Sequence, residues 1–179
     1  MFGSSTTSRS SPEWQEAEWL GRAIASEGWA VATGGYGGTM EAVSKGAAEV
    51  GGRVFGVIAP DVFVDRPGAN PYVTDEIHER SITSRISRLI ELSDAAIALP
   101  GSIGTLAELI VAWNVAFLAP ARGAPTFPVA AVGGSWADLK NTIDRTIASG
   151  QEFVTITHTA AEAFDLVRRR IPGIGRSVE

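Results

Sequence analysis

The residues best suited to chemistry in this sequence are one arginine, one glutamate and two glycine-rich turns. The first turn is Thr33-Gly34-Gly35-Tyr36-Gly37-Gly38-Thr39-Met40, which follows an apolar run and opens a helical one. Backbone N–H groups and a helix dipole at such a junction hold anions. The same glycines also suit a tight turn with close helix-sheet packing, and both readings stand. It is not the dinucleotide fingerprint: G-x-G-x-x-G begun at Gly35 would need a glycine where Met40 stands.

The second turn, Leu99-Pro100-Gly101-Ser102-Ile103-Gly104-Thr105-Leu106-Ala107-Glu108, has the same setting. Two glycine turns on one edge of a parallel sheet suggest a nucleotide or sugar phosphate rather than a loose anion. Thr105-x-x-Glu108 also reads as a capping box, with Glu108 returning to its own helix's first amide; Thr159-x-x-Glu162 repeats the pattern, and there only capping is expected. From Leu106 to Leu118 only Glu108 and Asn114 are polar. A helix apolar nearly all round reads as buried, so Glu108 needs a partner or becomes a tuned acid. In the preceding helix Ile82, Ile86, Leu89 and Ile90 form an apolar face; Arg85 flanks it, within reach of the pocket edge, and Arg88 points away.

The elements that must hold these groups alternate in type. Residues 29–32, 54–58, 95–99 and 129–132 are continuous apolar runs, as strands covered on both faces require. Phe153 to Ile156 is a weaker fifth strand, and Met1-Phe2 reads as the stub of a first. Helices are expected from Ser11-Pro12, then over residues 39–50, 81–92, 104–118, 136–149 and 160–170. The order predicts a Rossmann-like three-layer αβα fold with a mostly parallel sheet, in a single nucleotide-binding domain over residues 1–179. Pro60 to Glu79 has no clear period and is long enough to cover a site. Ser4 to Ser11 is polar and is expected to be mobile.

Composition removes several classes. The absence of cysteine rules out disulfides, thiolate metal sites and a cysteine nucleophile. A net charge of −5 argues against nucleic-acid binding, and the run Arg168-Arg169-Arg170 reads as a solvated helix end. No secretory signal and no run long enough for a membrane span are visible, so a cytoplasmic location is expected. His78 and His158 lack metal-ligand spacing, and neither a metal nor a cofactor is expected. Pyridoxal phosphate needs a Schiff-base lysine. Only Lys45 and Lys140 exist, the second on what reads as a solvated helix face.

Taken together, these motifs resemble the LONELY GUY (LOG) family, whose members are often mislabelled lysine decarboxylases. The resemblance rests on Gly3-Ser4-Ser5, Thr33 to Met40, Arg85 in its helix, and Pro100 to Glu108, which matches the family's P-G-G-x-G-T-x-x-E. It implies a homodimer that binds a nucleoside 5′-monophosphate, such as AMP or an N6-modified (cytokinin-type) AMP. The implied reaction is hydrolysis of the N-glycosidic bond to free base and ribose 5-phosphate. The family's catalytic glutamate falls on Glu108 and its H-x-R-K arginine on Arg85. Gly3, Ser4, Gly34, Gly35, Gly38, Gly101, Ser102, Gly104 and Thr105 become the substrate-binding candidates. Thr83 and Ile86 replace the family's His and Lys, Ser102 replaces a glycine of Pro-Gly-Gly, and Thr33 replaces another glycine. A non-catalytic nucleotide or molybdenum-cofactor carrier of the same fold is the alternative. Trp113 and Phe117, one turn apart, are the expected aromatic anchors of a dimer interface.

Overall fold

The computed structural model describes residues 1–66, 68–147 and 153–171. Its elements run α1 (Pro12–Ser26), β1 (Val31–Thr33), α2 (Thr39–Glu49), β2 (Val54–Ile58), β3 (Asp75–His78), α3 (Ile82–Glu91), β4 (Ala96–Ala98), α4 (Ile103–Leu118), β5 (Val129–Val132), α5 (Gly134–Thr146), β6 (Val154–Thr157) and α6 (Ala160–Arg170). Every strand pairing is parallel, in two three-stranded runs ordered β1-β2-β3 and β4-β5-β6. Met1 and Phe2 join the two. The Met1 nitrogen donates to Ala32 O at 2.6 Å, and Phe2 forms a parallel bridge with Ala98 through Ile97 O and Leu99 N. The chain therefore winds outward in opposite directions from its centre, a topology that in open parallel sheets sets the ligand crevice at the carboxyl edge of the switch point.

Alternation along the strands builds the layers. Ala130 and Val132 face a core with Leu20 of α1, Val43 of α2 and Phe164 of α6. Val129 and Ala131 face the other core, with Leu89 of α3, Leu109 and Trp113 of α4, and Trp136 of α5. The fold is the Rossmann-like three-layer α/β arrangement expected. Among the described residues no helix is long and apolar enough to cross a membrane.

Four expectations are corrected. The segment from Pro60 to Glu79 is not all loop: Asp75–His78 pairs with β2, and as an edge strand it alternates half-buried and exposed residues and so lacks the continuous apolar run of the central strands. Helix α4 is not buried all round. Ile103, Ile110, Val111 and Phe117 are exposed, since a helix on an outer layer covers the sheet with one face only. Lys140 does not sit on a solvated face but lies half-buried above Trp113, paired with Asp144 at 2.6 Å. The Ser4 to Ser11 segment is tethered: Ser4 O accepts from Thr39 N at 2.9 Å, and Arg9 pairs with Glu41. Of the helix expected over residues 136–149, α5 covers the part up to Thr146, and residues 148–149 lie outside the described residues.

Candidate functional site

Arg85 and Glu108 meet under the crevice. The serine-capped helix α3 starts beyond the outermost strand and returns toward β4, carrying Arg85 beneath the sheet's carboxyl edge. Arg85 Nε donates to Val57 O at 2.7 Å and one terminal nitrogen donates to Gly34 O at 3.0 Å. The other terminal nitrogen stands 3.5 Å from Glu108 Oε1. One cation thus ties β2, the first glycine turn and α4 together. Both residues are 7% exposed. Burial raises the Glu108 carboxyl above its ordinary range and Arg85 pulls it back; burial likewise lowers the Arg85 guanidinium, against the pull of Glu108. The contact is single and long rather than a bidentate fork, so the second carboxylate oxygen has no protein partner among the described residues.

The glycine candidates divide by role. Gly34 leaves room for the Arg85 guanidinium, and a Cβ there would collide with it. Gly38 adopts φ +65°, and a Cβ would run into Ser4 O. Gly3 packs against Thr39 and Gly101 against Thr105 in the same way, while Gly35, at φ +74°, donates its N–H to Thr33 Oγ1 at 2.9 Å. These glycines permit close approach of backbone and side chains, which is the packing reading of such turns. The anion-cradle geometry belongs to the second turn. Gly101, Ser102, Ile103 and Gly104 are exposed, and α4 begins at Ile103 with no side-chain cap on its first amides. Thr105 is buried in the first turn of that helix. The capping-box reading of Thr105 and Glu108 fails, because Ser102 occupies the N-cap position and Glu108 lies well inside the helix.

Arg88 lies on the surface, paired with Glu79 and Glu91. Lys45 pairs with Glu18 and Glu49, and His78 and His158 are exposed. Arg168 pairs with Glu27 and Asp165 on the solvated end of α6. Trp113 is buried in its own chain's core, whereas Phe117 is half-exposed and meets Phe153 edge-on at 5.5 Å.

Two residues beside the site, Arg66 and Asn70, belong to no motif of the sequence; Ser5 and Tyr36 adjoin them from the Gly3-Ser4-Ser5 segment and the first glycine turn. Asn70 pins the loop before β3 onto the first glycine turn, its N–H to Gly35 O at 2.7 Å and its Nδ2 to Gly35 O and Tyr36 O at 3.1 Å. The only sequence signal was the length of that loop.

Comparison with known proteins gives the family and the fold. The SLOG cluster4 family matches residues 1–117. The chain is similar to the cytokinin riboside 5′-monophosphate phosphoribohydrolase of Mycobacterium tuberculosis, 38% identical over 100 residues, which are 55% of this chain and 53% of that protein. The chain spans about half the length of the curated relatives it matches. Among solved structures, the structural-genomics protein TM1055 is 26% identical with a TM-score of 0.70, covering 93% of this chain and 95% of its own. The molybdenum cofactor carrier protein of Chlamydomonas reinhardtii shares the fold at 23% identity and a TM-score of 0.71, covering 97% and 96%.

Proposed function

The chain belongs to the SLOG cluster4 family, of LOG type, and from that premise we propose that it is a nucleoside 5′-monophosphate phosphoribohydrolase. The observation that carries this reading is the buried Arg85 and Glu108 pair at the switch-point crevice, beside an uncapped helix start. The 5′-phosphate lies on the free amides of residues 103–105, where dipole and N–H groups favour a dianion. That places the ribose over Glu108. As the bond from C1′ to the base nitrogen breaks, the electron pair leaves with the base, which takes up a proton, and positive charge builds on the sugar. The Glu108 carboxylate stabilises that charge, orients the water that attacks C1′ and receives its proton. Burial raises the Glu108 carboxyl, and Arg85 opposes that rise by favouring the ionised form. Incubation with AMP, N6-substituted AMP, GMP and IMP, with free base followed by chromatography, tests the reading. Absence of base release from every nucleoside monophosphate overturns it.

A carrier of a nucleotide or of molybdenum cofactor is the second reading. It draws on α3, where the neighbours of Arg85 bring no further charge: Thr83 is exposed and Ile86 is buried. Tight binding without turnover supports it, and a hydrolysis abolished in Glu108→Gln excludes it.

The assembly we propose is a homodimer across the exposed apolar stripe of α4, with the anchors moved from Trp113 to Ile110, Val111 and Phe117. Ile110→Glu then lowers the mass seen by light scattering. A wild-type monomer at micromolar concentration overturns the dimer.

A further inference from the structure

The loop before β3 brings a second arginine to the edge of the site. Arg66 lies at the rim of a cavity of about 390 Å³ that Ser5, Tyr36, Gly37, Glu41 and Asn70 also line, a volume within the range of small-molecule sites. Its guanidinium sits 5.3 Å from the Tyr36 ring centre and 5.4 Å from that of Phe63, and donates to Ser5 Oγ at 3.3 Å. The surface beneath it is fixed. Tyr36 and Phe63 pack edge-on at 5.4 Å, the Tyr36 hydroxyl accepts from Ala59 N at 2.9 Å, and Asn70 holds the loop to the glycine turn. Arg85 lies 5.5 and 5.7 Å from the same two rings, so the cavity adjoins the pair assigned to the sugar. Glu41 is the acidic group of the cavity lining and is engaged by Arg9. Among the described residues no carboxylate pairs with Arg66; its side-chain hydrogen bond there is to the Ser5 hydroxyl.

This inference rests on the proposed placement of ribose over Glu108 with the phosphate at the start of α4, which sends the base toward Tyr36 and Arg66. We infer that Arg66 selects the base, favouring 6-oxopurines such as guanine and hypoxanthine over adenine. A guanidinium carries only donors. It pairs with the O6 and N7 acceptors of a 6-oxopurine in two parallel hydrogen bonds, as arginine does on the guanine edge in nucleic acids. Adenine presents an amino group at the same position. Donor would face donor, and a site built to bond an acceptor rejects the analogue that lacks it.

Calorimetric titration of the wild type, Arg66→Gln and Arg66→Lys with GMP, IMP and AMP tests this. The wild type binds GMP and IMP at least about tenfold more tightly than AMP. Arg66→Gln removes that preference by weakening GMP and IMP without weakening AMP, since a glutamine amide can pair with adenine N6 and N7. Arg66→Lys keeps the charge but loses the fork, and recovers part of the preference. AMP bound as tightly as GMP, an equal loss for all three nucleotides, or no binding of any overturns the inference. Base release from AMP at a rate indifferent to Arg66 sinks the inference and leaves the hydrolase reading intact. Arg66-dependent binding of GMP with no base released from any nucleotide sinks the hydrolase reading instead.

Discussion

Thr105-x-x-Glu108 and Thr159-x-x-Glu162 are the same four-residue pattern, each placed after a strand, yet they serve different ends. At α6, Thr159 is the N-cap: its hydroxyl accepts from Glu162 N at 3.2 Å, and the Glu162 carboxylate accepts from His158 N at 2.8 Å. Both side chains are exposed and their bonds stay within one helix end. At α4 the helix begins three residues earlier relative to the pattern, with Ser102 at the N-cap position, which turns Thr105 inward and moves Glu108 beyond reach of the terminal amides. Its carboxylate meets Arg85 from another helix instead. A capping pattern is a statement about register, and a shift of the helix start converts a cap into a buried acid. The two arginines of α3 repeat the lesson, since Arg85 is buried against three elements while Arg88, less than one turn on, pairs with surface glutamates.

The largest test of this contrast is a paired substitution. Glu108→Gln should lower kcat for base release by about 10³-fold, the scale of losing one preorganised electrostatic group. Glu162→Gln should leave it within about twofold, since its bonds stay at its own helix end and share no partner with Glu108. Steady-state rates on a nucleoside monophosphate decide, and comparable losses in the two variants would erase the distinction.

Next in size is the coupling to Arg85. Activity needs the Glu108 carboxylate ionised, and burial holds its pKa above the ordinary range. The acid limb of kcat/KM should therefore fall at a higher pH than for an exposed glutamate. In Arg85→Gln the opposing cation is gone, so the limb moves to higher pH still, with a loss of about 10²-fold near neutrality. A limb that stays in place would show that Arg85 does not set the charge of Glu108.

Stability gives a smaller effect of defined sign. The folded state holds the Glu108 proton more tightly than the unfolded chain does, so stability is lost as pH rises from the ordinary carboxylate range through the raised pKa. Glu108→Gln has no such proton to release. The gap in urea midpoint between variant and wild type should widen in the variant's favour across that window, and a constant gap would contradict the assignment.

The smallest pair concerns the helix starts themselves. Thr159→Ala should cost about 1 kcal/mol of unfolding free energy with turnover unchanged. Ser102→Ala removes no cap bond and should cost under about 0.5 kcal/mol, with any larger effect confined to ligand affinity.

Much of the architecture was legible because local rules sufficed for it. Continuous apolar runs marked the central strands, Ser11-Pro12 marked the start of α1, and glycine turns marked the carboxyl edge. Helical spacing placed Arg85 at the flank of the apolar face of α3, and Glu108 stood out as a carboxylate in an apolar stretch. The edge strand β3 was not legible, because its alternation is that of a half-solvated segment and its partner lies 20 residues away, Phe55 opposite Asp75. Nor were the exposed face of α4 and the burial of Trp113, since composition says how apolar a helix is but not which side meets the sheet.

By itself, then, the sequence determined the central strands, the helices between them and the parallel sheet, which follow from periodicity and residue type over short spans, while the family resemblance of its motifs singled out Arg85 and Glu108. Tertiary structure alone decided the rest. The register at Ser102 made Glu108 a buried acid, the clasp of Asn70 on Gly35 O carried Arg66 to the cavity, and the insertion of Met1 and Phe2 between the half-sheets formed the crevice. The last two join groups far apart in the chain. Such contacts form only when the fold has met the entropy of closing the intervening loops, and no local pattern records them.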